Sequence, residues 1–195
     1  MDGAALVWRG GTRTPLQHAQ AASYPALLDH PGLLDQLAAR YPACQPLHVP
    51  AWKEDPGRGR AEAFFSRMYG DSPAQVAPRL DTINWFGQPL RVNGAAALLR
   101  AVAADLARQP GLRPYARRSV HAYGAATDLN LRFSDSWLWK GDREGQRGIR
   151  DRNRMPPAPV YVFERHGWIW GGRWYHHDAV HFEYRPELTG AWQCR

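Results

Sequence analysis

The stretch from His166 to Tyr184, His-Gly-Trp-Ile-Trp-Gly-Gly-Arg-Trp-Tyr-His-His-Asp-Ala-Val-His-Phe-Glu-Tyr, leaves this chain few ways to fold. It sets three Trp, four His and two carboxylates within nineteen residues around a Gly-Gly pair, which is costly as plain scaffold. Such a run describes a dry pocket with metal-binding and proton-accepting groups pointing into it. An earlier segment, Ser119-Val-His-Ala-Tyr-Gly-Ala-Ala-Thr-Asp-Leu-Asn130, adds a histidine and a carboxylate. Together the two segments can complete a site of two His and one Asp with a fourth position open.

With 44% hydrophobic and 12% aromatic content, 195 residues suffice for one domain with a real core. We expect an irregular arm over residues 1–23 and a single domain over 24–195. The formal net charge of +7 favours an anionic partner. Lys stands only at positions 53 and 140, so nearly all of that charge is Arg, and it is scattered. Without a basic run or helical basic stripe, no nucleic-acid surface is expected, and a carboxylate-bearing or polyanionic substrate fits better. No basic region followed by an apolar signal-peptide core opens the chain, and no stretch approaches the roughly 18 apolar residues of a membrane span. Neither an export signal nor a membrane segment is therefore expected, and no obligate protein partner is evident. Cys44 and Cys194 fall outside any metal-type spacing, and whether they pair stays open, as does the compartment.

Apolar spacing predicts helices from Pro31 to about Tyr41, from Arg58 to Gly70 with Phe64, Phe65 and Met68 inward, and from Ser72 to about Leu80. The longest runs from Asn93 to about Arg108 with Leu98, Leu99, Val102 and Leu106 buried. Another opens at Pro156-Pro157 and reaches Glu164. Thr82–Phe86 and Pro89–Val92 read as a hairpin or two short strands, and Ala125–Leu131 and Val180–Arg185 as strands. Residues 42–57 form a loop, and the Arg-rich stretch from Ser134 to Arg154 a long surface loop over the site.

His121 and Asp128 lie seven positions apart with Gly124 between them, so a turn at Gly124 brings both to one ion. Alone, such a pair is more often structural than catalytic. The third ligand should come from the C-terminal stretch, where His181 alternates with Phe182 and Tyr184 as strand residues whose rings face the core. Two His and one carboxylate also describe non-haem iron oxygenases, but there a single residue separates His from carboxylate; six intervene here, which favours zinc hydrolysis. A carboxylate ligand weakens the ion's pull on water, so a separate base is needed. Asp178, three residues before His181, is the natural choice, with Glu183 as fallback or as support for a ligand imidazole. His176 and His177 read as solvent-facing or supporting residues, His166 as a partner of a helix C-terminus, and Ser119 as a hydroxyl steadying the ligand loop.

Ser-x-His-x-x-Gly-x-Ala-x-Asp at 119–128, Gly-Trp-x-Trp-Gly-Gly-x-Trp at 167–174 and Asp-x-x-His-Phe-Glu at 178–183 resemble, in that order, the zinc peptidases that cleave peptidoglycan stem peptides. These are the D-alanyl-D-alanine carboxypeptidases of the VanY type and the related L-alanyl-D-glutamate endopeptidases. The likeness extends to Asp55-Pro-Gly-Arg-x-Arg and Phe64-Phe-x-x-Met-Tyr-Gly70. The resemblance implies one zinc ion held by His121, Asp128 and His181, with Asp178 as catalytic base. It implies an α+β fold in which a small antiparallel sheet carries the metal ligands, with helices packed on one side and long surface loops. An upstream arginine stabilises the oxyanion in such enzymes; Arg60 is the candidate here and Arg58 the next, while Arg117 and Arg118 are placed to meet a substrate carboxylate. Beside these ligands, Glu183 and Ser119 read as supporting residues, and the tryptophans as core or pocket walls, with Trp168 or Trp170 flanking the site in sequence and shaping the substrate cleft. The implied activity is D-alanyl-D-alanine carboxypeptidase, the alternatives being an endopeptidase of lysin or toxin type and a non-catalytic zinc-containing wall-binding module. The implied partner is peptidoglycan, met in the periplasm or outside the cell.

Overall fold

The structure is a computed structural model and describes residues 4–94, 98–109, 111–112, 119–120, 124–189 and 194. Near the N-terminus β1 (Ala5–Val7) and β2 (Arg13–Pro15) pair antiparallel, so the arm expected to be irregular carries a hairpin. Strands of three residues are too short to register as alternation. α1 (Tyr24–Asp29), absent from the sequence reading, begins where the Ser23 hydroxyl accepts the Ala26 amide with Pro25 in the first turn. α2 (Leu33–Ala38) is shorter than the expected Pro31–Tyr41.

A loop then leads to α3 (Glu62–Tyr69), which buries Phe65 and Tyr69, with Phe64 and Met68 only partly covered. α4 (Pro73–Val76) continues into a 3-10 turn, and β3 (Leu80–Trp85) and β4 (Gln88–Asn93) form the expected hairpin. Its turn falls on Phe86 and Gly87, both with positive φ, which matches the twist of the two strands. α5 (Leu99–Ala107) buries Leu99, Val102 and Leu106. Leu98, expected in that face, is 49% exposed, because the described helix begins one residue after it.

The remaining elements build one four-stranded antiparallel sheet: β5 (Ser119–Val120), β6 (Ala126–Asp128), then α6 (Pro157–Arg165), β7 (Trp168–Trp170), β8 (His181–Tyr184) and α7 (Pro186–Thr189). Strand order is β5-β6-β8-β7. The chain is thus α+β with small antiparallel sheets.

Register in this sheet decides which side chains meet. Thr127 pairs with Phe182 and Phe182 with Trp170, while Tyr184 faces Trp168. This row points into the core against α5 and α6, where Phe163 lies 4.1 Å from the Phe182 ring and 5.7 Å from Trp168. Burial of each large apolar side chain there contributes on the order of 1.5–3 kcal/mol. The alternate residues, Asp128, His181, Glu183 and Ile169, point to the other face, since successive strand residues alternate sides.

Cys44 and Cys194 form a disulfide with Cα atoms 5.3 Å apart, deciding a pairing that the sequence leaves open. No helix among the described residues is long and apolar enough to cross a membrane.

Candidate metal centre

Asp128 on β6 and His181 on β8 are direct cross-strand partners, and Ser119 on β5 is in backbone register with Asp128. The His181 Nδ1 atom lies 3.3 Å from Asp128 Oδ1, and Nε2 lies 3.3 Å from Glu183 Oε2. The turn at Gly124 is present, with φ of 65°. A Cβ at that position would meet Leu80 Cδ2 at 2.7 Å and the Asn93 amide at 2.8 Å, so a glycine is needed both for conformation and for space. His121, Arg117 and Arg118 lie outside the described residues. Among the described residues no group of three or more His, Cys, Asp or Glu side chains is placed to hold a metal ion.

Glu183 is firmly anchored. Arg60 donates from Nε to both its oxygens at 2.9 Å and from Nη2 at 2.5 Å, and Arg185 approaches at 3.4 Å. Arg185 is itself fully buried and donates to the Gly57 carbonyl, which ties the Asp55–Arg60 ribbon to β8. Burial works against ionisation of Glu183, but Arg60, His181 and Arg185 hold its carboxyl well below the usual range. Burial likewise disfavours the charged form of His181, yet hydrogen bonds to Asp128 and Glu183 win and raise its pKa to about 9. His181 therefore sits between two carboxylates, and its Nδ1 faces an oxygen with which it must share either a proton or a cation.

Asp178 is half-buried in the turn leading into β8. Its amide donates to the Gly171 carbonyl at 3.0 Å, and its carbonyl accepts the His181 amide at 3.2 Å. This is the turn expected between the two residues. Ser136 forms a bridge with Asp178, which brings the 134–154 loop against the site. The Trp174 ring is 5.6 Å from the His181 ring and covers it.

Several supporting residues escape the sequence reading. Glu164 is fully buried and accepts from the Tyr41 hydroxyl at 2.6 Å, the Cys44 amide at 2.6 Å and Arg173 Nε at 2.7 Å. The Tyr41 oxygen in turn accepts the Trp170 amide, so this knot fixes the Trp-Gly-Gly-Arg segment beside β7. Of the two readings open for the tryptophans, core or pocket wall, Trp168 and Trp170 take the first. The register turns them away from His181 and buries them on the opposite face.

Of the two readings open for His176 and His177, solvent-facing or supporting, burial of both excludes the first. Asp55 takes the His176 amide and Nδ1, each at 2.9 Å. Burial lowers the His177 imidazole, against an opposing pull from Asp151. His166 closes α6, and its Nε2 lies 2.8 Å from Asp105 on α5. Arg58 is engaged by Glu144 and lies over Trp137.

No curated protein and no solved structure matches the chain. Residues 113–184, which span Asp128, Asp178, His181 and the Trp-Gly-Gly segment, match the model of a family described as D-alanyl-D-alanine carboxypeptidase.

Proposed function

We propose that the chain is a zinc peptidase that removes the terminal D-alanine from peptidoglycan stem peptides, with its metal ligands on the four-stranded sheet. The observation that carries this reading is the cross-strand pair of Asp128 and His181 inside the segment that matches the carboxypeptidase family. The donors suit the ion. Two ligands about 2.0–2.1 Å from a tetrahedral zinc stand about 3.3 Å apart, and the Asp128 and His181 donor atoms are 3.3 Å apart.

In this reading Asp128, His181 and His121 hold one zinc ion, which when bound supplies Lewis acidity and lowers the pKa of water. Glu183 accepts the His181 Nε2–H and so leaves the Nδ1 lone pair facing Asp128. Being fully committed to Arg60, Arg185 and His181, Glu183 is a poor proton acceptor, which leaves Asp178 as the base that takes a proton from water and returns it to the leaving amine. Arg60, first considered for the oxyanion, acts here as the positioning residue of Glu183. The disulfide supports a site of action in an oxidising compartment, as peptidoglycan requires.

The test is digestion of purified peptidoglycan with and without a chelator, with fragments read by mass spectrometry. Chelator-sensitive loss of terminal D-alanine is expected. A cut between L-alanine and D-glutamate would replace carboxypeptidase by endopeptidase, and intact peptides with metal-loaded protein would refute catalysis. Asp128→Ala and His181→Ala should each lower zinc occupancy in metal analysis.

A further inference from the structure

Between α1, α2 and the ribbon from Asp55 to Gly59 lies a cavity of about 390 Å³, within the size range of small-molecule sites. Its body is apolar. α1 buries none of its six residues, yet its Leu27 and Leu28 line the cavity, joined by Pro42 and Pro56. Both leucines are half-buried and belong to none of the described core clusters, so their apolar surface is open to a ligand.

The charges around this body are unbalanced. Asp35 accepts the Ala19 and Gly32 amides and meets His18. Glu54 accepts the Ala51 amide and meets His48, while Asp55 is taken by His176 and the Tyr24 hydroxyl. Each carboxylate of the wall is thus committed. Arg40 and Lys53 line the same cavity, are exposed, and have no ion pair among the described residues. The Lys53 ammonium lies 5.6 Å from the centre of the Tyr24 ring, at the cavity wall. Two uncompensated cations beside an apolar hollow select an anion with an apolar body, and an arginine suits a carboxylate in particular.

The cavity is separate from the cross-strand pair of Asp128 and His181. Neither of these, nor Asp178 or Glu183, lines it. The ribbon stands between: Arg185 donates to the Gly57 carbonyl at 2.7 Å, and a Cβ on Gly57 would meet Ile169 Cδ1 and Leu188 Cδ1, each at 2.8 Å.

We propose that this cavity is a binding site for a small carboxylate with a short apolar body, whose oxygens pair with Arg40 and Lys53 while the body covers Leu27 and Leu28. A free carboxylic acid and the C-terminus of a peptide both carry that chemistry. The proposal goes beyond the peptidase reading and does not depend on it.

The test is a nuclear magnetic resonance titration of the full chain, in chelator and again with added zinc, read at the methyl groups of Leu27 and Leu28. The probes are hexanoate and N-acetyl-L-leucine for the two sources, with hexanamide as the uncharged control and acetate as the control without a body. Saturable shifts are expected for both acids, the same with and without zinc, and the tighter of the two tells a free acid from a peptide C-terminus. Each methylene added between propanoate and hexanoate should tighten binding roughly 2–4-fold. Arg40→Gln and Lys53→Gln alter exposed side chains and should keep the fold; each should weaken hexanoate roughly 2–5-fold and leave hexanamide unchanged. Equal affinity for hexanoate and hexanamide, or affinity unmoved in both variants, would remove the anion anchor and overturn the proposal. Acetate binding as tightly as hexanoate would remove the apolar body and overturn it too, as would leucine shifts that appear only with zinc. A chain that binds hexanoate in this way and cleaves no peptide would keep the proposal and sink the peptidase reading.

Discussion

In the proposed site a proton and a metal ion would compete for the same nitrogen of His181. In metal-free protein the imidazole is raised from an ordinary 6.5 to about 9, so its protonated form stabilises the fold. A raised folded-state pKa gives stability that is fully present below the unfolded value and lost as pH rises through the folded value. Thermal melts with chelator should therefore show a falling midpoint between about pH 6.5 and 9. Zinc should remove that slope by taking the proton's place, and His181→Gln should lack it. A flat profile in chelator would mean that His181 is not held between two carboxylates. Asp178→Asn tests the other assignment: zinc should remain bound while turnover falls by about 10²–10⁴-fold. Full activity in that variant would sink the proposed mechanism. At this scale the sequence makes legible that Asp128, His181 and Glu183 share one face of the sheet, because strand alternation and motif spacing agree there. It is opaque at His176 and Arg58, whose partners Asp55 and Glu144 come from distant loops.

Among the elements, the hairpin of β3 and β4 and the helix α6 are legible because apolar periodicity, turn residues and prolines point the same way. β7 is not. Trp168, Ile169 and Trp170 are all buried, so no polar alternation marks the strand and the tryptophans read equally as core or as pocket walls. What holds β7 in place is the buried knot of Glu164, Arg173 and Tyr41, which sequence patterns do not announce. Glu164→Gln would leave the buried Arg173 uncompensated and should destabilise the fold by about 3–5 kcal/mol in denaturant titration. A loss below about 1 kcal/mol would show that the tryptophan packing alone positions the segment. Gly172→Ala should also be costly. Its Cβ would fall 2.1 Å from the Trp170 ring, so overpacking of about 1–3 kcal/mol or more is expected.

Across the whole molecule, the disulfide joins residues separated by 150 positions, and no spacing in the sequence could have announced it. Cys44 lies in the loop whose amide Glu164 holds, and Cys194 packs against the cluster of Tyr41, Ala43, Ile169, Trp174 and Leu188. The bridge therefore fastens Cys194 to the knot behind the four-stranded sheet. Closing so long a loop removes about 5 kcal/mol of unfolded-chain entropy in the simplest treatment, and native bridges in small secreted domains are worth about 2–5 kcal/mol. The double variant Cys44→Ser with Cys194→Ser should lose stability in that range by denaturant titration. Zinc occupancy of the folded fraction should persist, since the pairing of β6 with β8 involves neither cysteine. Reductant should destabilise wild type to the level of the variant and leave the variant unmoved. If reductant leaves wild type unmoved as well, the bridge constrains nothing in the folded protein, and the support it lends to an oxidising site of action falls with it.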